Sequence, residues 1–167
     1  MTLRNEDISF KIEQLSQILT SKDWQFACAE SCTGGWVAKF CTDLAGSSKW
    51  FERGYVTYSN RAKHEMLAVE NSTLEQHGAV SEAVVKQMAR GACQQAQVAV
   101  SLAISGIAGP GGGSASKPVG LVWFAWAING EVKTYSEVFA GDRNAVRLQA
   151  ADKAITVLLE CLQEVTS

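Results

Sequence analysis

Short apolar runs that break off into glycine- and hydroxyl-rich segments, set between stretches of helical periodicity, constrain this chain more than any other feature. Phe26 to Ala29 is one such run, and it ends in Glu30-Ser31-Cys32-Thr33-Gly34-Gly35. Val98 to Ile104 is another, followed by Ser105-Gly106-Ile107-Ala108-Gly109-Pro110-Gly111-Gly112-Gly113. Runs of this length, bounded by turn residues, suit buried strands. Ahead of them, Ile8, Ile12, Leu15, Ile18 and Leu19 recur at helical spacing, with Asp7 placed to cap the start. A second helix is expected from about Gly34 to Asp43, with Trp36, Val37 and Phe40 on one face. Trp50 to Tyr58 reads as a strand and Asn60 as the cap of a short helix through Leu67. Ser81 reads as the cap of a longer helix whose inner face is Val84, Val85, Met88, Ala92 and Ala96. Leu121 to Ile128 and Val132 to Phe139 read as strands joined by Asn129-Gly130, a dipeptide suited to a tight hairpin because both central residues need positive φ. A last helix is expected from about Arg143 to Leu162.

The order α-β-α-β-α-α-β-β-β-α alternates early and pairs its strands late. It predicts a three-layer α/β/α fold with a mixed sheet, an antiparallel edge and a C-terminal helix. No internal repeat, linker or low-complexity tract divides the chain, so residues 1–167 read as a single domain of ordinary size. An apolar fraction of 47% is enough to build a core without disulfide or metal staples. A formal net charge of -2, with Lys and Arg scattered, argues against nucleic acid as partner. No apolar run approaches the roughly 18 residues that span a membrane, and the N-terminus lacks the apolar core of a signal peptide. The five cysteines are odd in number and contain no Cys-x-x-Cys pair, which suits reduced thiols in the cytoplasm. Two histidines, His64 and His77, sit in no ligand-spaced motif, so no metal site is expected.

In open α/β sheets the loops after the strands form the ligand crevice. The segment from Glu30 to Gly35 places oxygen and sulfur side chains between a strand and a helix, whose first N–H groups can receive an anion. Capping by Ser31 or Thr33 is the structural alternative. Gly46-Ser47-Ser48 is a second hydroxyl-rich turn. A serine nucleophile needs a base, and Tyr58 and Lys63 in the next segment are candidate proton carriers. Neither histidine has an obvious acidic partner, so a Ser–Lys arrangement is easier to build than a Ser–His–Asp triad. The lysine then needs a lowered pKa. The glycine-rich segment from Ser105 to Gly113 can cradle a phosphate with its backbone N–H groups, although it lacks the Gly-Lys-Ser/Thr of a Walker motif. Arg143 and Arg147 lie one helical turn apart and can face one anion together, or form a solvated face. Cys32 at a helix start is a rival thiol nucleophile, without a nearby histidine to activate it.

Seven blocks in order carry a resemblance. They are Ala29-Glu30-Ser31-Cys32-Thr33-Gly34-Gly35, Gly46-Ser47-Ser48, Tyr58-Ser59-Asn60-Arg61-Ala62-Lys63, His77-Gly78-Ala79-Val80-Ser81, Gly106-Ile107-Ala108-Gly109-Pro110-Gly111-Gly112, Lys117-Pro118-Val119-Gly120 and Gly141-Asp142-Arg143. Together the chain resembles the CinA C-terminal domain family, the nicotinamide-nucleotide amidohydrolases, in stand-alone form. The resemblance implies hydrolysis of the carboxamide of nicotinamide mononucleotide to nicotinate mononucleotide and ammonia, within the bacterial pyridine nucleotide cycle, with no metal or other cofactor. It implies Ser48 as nucleophile, Lys63 as base and Tyr58 as proton-transfer aid, with Ser31 as pocket residue or rival nucleophile. Glu30, Thr33, Gly34, Ser105, Gly106, Gly109, Gly111, Gly112 and Arg143 are the implied substrate contacts. It also implies a homodimer. An inactive nucleotide-binding module of the same family is the competing expectation.

Overall fold

The computed structural model describes residues 5–166. Helix α1 (Asn5–Ser21) leads into strand β1 (Phe26–Glu30), helix α2 (Trp36–Asp43), a 3-10 turn at Ser47–Lys49 and strand β2 (Phe51–Val56). Helices α3 (Asn60–Leu67), α4 (Asn71–His77) and α5 (Glu82–Ala96) follow. Strands β3 (Val100–Gly106), β4 (Leu121–Ile128) and β5 (Glu131–Val138) then precede the closing helix α6 (Arg143–Thr166). The five strands form one sheet in the order β2-β1-β3-β4-β5. β1 runs parallel to β2 and to β3, whereas β3–β4 and β4–β5 are antiparallel. The expected three layers and mixed sheet are present.

Alternation along the strands sorts the core into two layers. Phe26 and Cys28 of β1 join Ile8, Ile12 and Leu15 of α1, Val37 of α2 and Ile155 of α6 on one face. Ala27 and Ala29 face the other way, with Leu67, Val84, Val85 and Met88 from α3 and α5. The small residues on that second face let the helices sit close to the sheet. Gly91 allows a closer approach still: a Cβ there would lie 2.0 Å from the carbonyl oxygen of Leu67. The backbone at the end of α3 therefore rests directly on α5.

The hairpin turn has the expected backbone, with φ of 51° at Asn129 and 88° at Gly130. Several boundaries differ from expectation. Asp7 lies inside α1 rather than ahead of it. Ser59, not Asn60, caps α3 by accepting the N–H of Ala62. Ser81 caps α5 as expected, accepting the N–H of Val84. Helix α4 was not anticipated: of its seven residues only Leu74 is buried, so it carries no apolar stripe to read. Strand β3 runs on through Ser105 and Gly106, because β4 pairs with it to that point.

The three parallel strands end on one side of the sheet. There the loop after β1, the loop after β2, the long loop after β3 and the start of α6 meet.

Candidate active site

Ser31 is the first residue beyond β1, and its N–H donates to the carbonyl of Ile104 in β3, which extends the sheet by one bond. Lys63 lies on α3, on the same buried face as Leu67. It is 1% exposed. Its Nζ donates to Ser31 Oγ at 3.0 Å and to the carbonyl oxygen of Thr57 at 2.9 Å. Thr57 follows β2, so the lysine bridges two adjacent strand ends. Burial lowers the Lys63 pKa from 10.5 to about 8, since an ammonium loses hydration there and finds no carboxylate. A deprotonated Nζ at this distance has the lone pair that a serine hydroxyl proton requires.

The expected Ser48–Lys63 pair is not formed. Ser48 lies in the 3-10 turn before β2 and Lys63 lies beyond the end of that strand. Six residues of strand separate the two ends by roughly 20 Å. The turn holding Ser48 belongs to the other end of the sheet, where the carbonyl of Trp50 accepts the N–H of Phe26 at the start of β1. Sequence adjacency of Ser48 and Lys63 is misleading because a strand intervenes. The parallel β1–β2 register brings Ser31, 32 residues earlier than Lys63, to the lysine instead.

Glu30 is not available to a substrate. It is fully buried, and its carboxylate accepts the N–H groups of Gly35, Val37 and Ala38 at 3.1, 3.2 and 3.0 Å. The start of α2, expected to receive a ligand anion, is filled by this side chain. Neither Ser31 nor Thr33 caps the helix. Gly35 does so with φ of 100°, and the helix begins at Trp36 rather than Gly34. Thr33 is buried, with Oγ1 lacking a hydrogen-bond partner. Gly34 turns the chain at φ of 59° and stands beside the Arg147 guanidinium. Ser105 is 1% exposed inside β3. Thr33, Gly34 and Ser105 thus shape the turn and strand ends rather than the cleft wall.

A cleft of about 260 Å³ opens in front of Ser31. Its walls are Ser31, Cys32, Tyr58, Arg143 and the loop residues Gly106 to Gly109 with Gly111 and Gly112. Tyr58 and Arg143 cross its mouth: Arg143 donates to the Tyr58 hydroxyl and to the carbonyl of Gly109, each at 2.8 Å. Tyr58 therefore stands at the rim, 60% exposed, and not beside Lys63. Gly109 has φ of 81°, and a Cβ there would lie 2.5 Å from Val119, so only glycine fits that bend. Cys32 lines the cleft, but burial pushes its thiol up to about 12, which leaves little thiolate at neutral pH. Arg147 does not share an anion with Arg143. Its Nε and Nη2 donate to the carbonyls of Cys32 and Thr33 at 3.0 and 3.2 Å, and its guanidinium stacks over Trp36. The roles of Arg147 and of the Thr57 carbonyl had no local signature, since both contacts are made across the fold. The burial of Lys63 had a faint one: it lies one helical turn before the apolar Leu67. No cluster of His, Cys, Asp and Glu able to hold a metal occurs among the described residues.

A parallel-strand end bearing a hydroxyl against a buried lysine, fronted by a glycine-rich loop and an arginine, defines a hydrolase-like α/β domain with a Ser–Lys pair. Residues 9–162 match the CinA C-terminal domain, and the chain belongs to that family. It is 60% identical over 139 residues to a protein of Enterobacter agglomerans named nicotinamide-nucleotide amidohydrolase PncC, covering 83% of this chain and 85% of that one. It is 58% identical over 147 residues to the protein of the same name from Escherichia coli K12, covering 87% and 89%. The crystal structure of a competence/damage inducible protein from Agrobacterium tumefaciens superposes with a TM-score of 0.91 at 41% identity, covering 98% of this chain and 99% of that one.

Proposed function

We propose that the Ser31–Lys63 pair hydrolyses the carboxamide of nicotinamide mononucleotide, giving nicotinate mononucleotide and ammonia. The observation that carries this reading is the 3.0 Å contact between a buried lysine and a serine at the cleft floor. The substrate is taken from the names of the relatives described above. Neutral Lys63 accepts the Ser31 hydroxyl proton as Oγ attacks the carboxamide carbon. Backbone N–H groups around the cleft hold the oxyanion. The Lys63 ammonium then gives its proton to the departing amide nitrogen, which leaves as ammonia, and an acyl-serine remains. Water attacks that ester as Lys63 takes its proton, the acyl carbon–Oγ bond breaks, Lys63 returns the proton to Ser31 Oγ, and the product acid leaves as its carboxylate, its own proton going to solvent. Throughout, Nζ keeps its hydrogen bond to Thr57, which holds the amine while its charge changes. Arg143 and the glycine-rich loop bind the ribose phosphate, away from the reacting carbon, and so fix the ring. Among the described residues that line the cleft Arg143 is the one cation, and the start of α2 is taken by Glu30. Five unbridged cysteines fit a reducing compartment, and we read the enzyme as cytoplasmic. No helix among the described residues is long and apolar enough to cross a membrane.

Incubation of the purified protein with the nucleotide is expected to release one ammonia per nicotinate mononucleotide formed. Ser31→Ala and Lys63→Ala are expected to lower kcat at least roughly 1000-fold with binding largely kept, and Ser48→Ala to stay within about twofold. Binding without turnover in the wild type would leave the nucleotide-binding module as the reading. Loss of turnover in Ser48→Ala alone would return the nucleophile to the other end of the sheet.

A further inference from the structure

The parallel pairing of β1 with β3 sets what stands near Ser31 on the neighbouring strand. Glu30 pairs with Ile104, so Ser31 stands beside Ser105 near the end of β3. Both follow the alternation that puts Ala29 and Ala103 on the face covered by α3 and α5, and Lys63 meets Ser31 from that side. Two residues beyond Ser105 lies Ile107. Its N–H donates to the carbonyl of Leu121 at 2.8 Å, and its carbonyl accepts the N–H of Gly120 at 2.7 Å. The bonding to β4 therefore continues past the end of β3, and the Ile107 side chain keeps the face of Ser31. One strand spacing across and two residues along place the Cα atoms of Ser31 and Ile107 roughly 8 Å apart.

Ile107 lines the cleft and is half-buried. Among the described residues of the cleft wall it carries the one branched aliphatic side chain. The rest is short side chains and glycine backbone, closed at the mouth by Tyr58 and Arg143. Across the loop Ile107 packs on Gly112, where a Cβ would lie 3.6 Å from its Cγ2. Backbone and side chain are thus both fixed, and the flank left open faces the cleft. Small-molecule sites orient a ligand with a few polar groups and gain binding from apolar contact. In acyl transfer the carboxamide carbon comes to about 3 Å from Ser31 Oγ. A ring bonded directly to that carbon then fills the space between Ser31 and Ile107.

We propose that Ile107 is a specificity-determining residue for the acyl group: its side chain is the surface against which the ring carrying the carboxamide packs. This rests on the reading of Ser31 and of the substrate given above. Ile107→Ala removes that surface and keeps the backbone bonds that tie the loop to β4. It is expected to lower kcat/KM for the nucleotide roughly 30-fold, since a methylene lost from an apolar pocket is worth about tenfold or more and this side chain is only half-enclosed. Ile107→Val, one methylene smaller, is expected to fall roughly 3- to 10-fold. Nicotinamide mononucleotides methylated on the ring carbons 4, 5 or 6 probe the space directly. The derivative that the wild type hydrolyses worst is expected to gain at least roughly tenfold on the parent nucleotide in Ile107→Ala. Acylation of Ser31 by p-nitrophenyl acetate, read by nitrophenolate release and the mass of the Ser31 peptide, brings no ring in its acyl group. Its rate is expected to stay within about threefold.

A kcat/KM in Ile107→Ala within about twofold of the wild type overturns the proposal. So does acylation that falls in parallel with hydrolysis, which makes Ile107 a support for Ser31 rather than a wall for the ring. Methylated nucleotides that all fall together with the parent overturn it as well. If Ile107→Ala does not fold by circular dichroism, Ile107→Val is judged by the same ratios. A wild type that binds the nucleotides without turnover removes the hydrolytic reading alone. The ratios are then taken from dissociation constants by calorimetry, and a ratio unchanged in Ile107→Ala overturns the role of Ile107 too. A wild type that binds none of the nucleotides overturns both.

Discussion

Burying an ammonium group with one hydroxyl and one carbonyl for partners makes its proton easy to lose. Lys63 is in that position, and its pKa of about 8 leaves roughly one molecule in ten with a neutral amine at pH 7. The kcat/KM of nucleotide hydrolysis is therefore expected to rise about tenfold per pH unit below pH 8 and to level off above it. The limb is absent from Lys63→Arg, which is expected to be inactive because a guanidinium does not deprotonate in this range. Steady-state rates between pH 6 and 9.5 check this, and a flat profile in the wild type would remove Lys63 as the base. At the same scale Glu30 shows how an acidic residue next to Ser31 can be taken up by the backbone. Its carboxylate accepts three N–H groups at the start of α2, which hold it in place.

Helix α3 carries Lys63, and α5 sets where α3 lies. Gly91 is the contact between them, with no room for a methyl group against the Leu67 carbonyl. Gly91→Ala raises intrinsic helix propensity by about 1 kcal/mol, yet the displaced backbone is expected to cost more than that gain. A net loss of about 2 kcal/mol, or a fall in Tm of roughly 4–8 °C, is expected, together with a lower kcat as Lys63 moves off Ser31. Thermal melts with parallel kinetics test this; a higher Tm with full activity would show that α3 does not rest on α5. The glycine reads in the sequence only as a mild weakness in a helix, because the partner backbone arrives from 24 residues earlier.

For the molecule as a whole, the buried lysine is a cost borne by folding. Its folded pKa is below its unfolded one, so between about pH 8 and 10.5 the unfolded chain binds more protons and stability rises with pH. Below about pH 8 the full penalty is present, on the order of 3 kcal/mol, and above 10.5 it vanishes. Lys63→Met lacks this term. The difference in unfolding free energy between the variant and the wild type is expected to shift by that amount, in favour of the wild type, as pH climbs through the window. Denaturant titrations at pH 7.5 and 10.5 measure it, and an unchanged difference would mean that Lys63 is solvated.

The periodicity of apolar residues, the glycine-rich breaks after strands and the Asn129-Gly130 turn were enough to determine the element order apart from α4, the three layers and the antiparallel edge. Those signals are local, and local backbone preference with burial on one face produces them. They also named the segments that meet at the site and proposed a serine with a lysine. Which serine pairs with Lys63 was decided only by the tertiary structure. Parallel pairing of β1 with β2 carries Ser31 to the lysine and leaves Ser48 a strand's length away, and no local pattern encodes that register. The same holds for Glu30 and Arg147, whose charges look free in the sequence. Once the chain is packed, they are taken up by the backbone of the turn that presents Ser31.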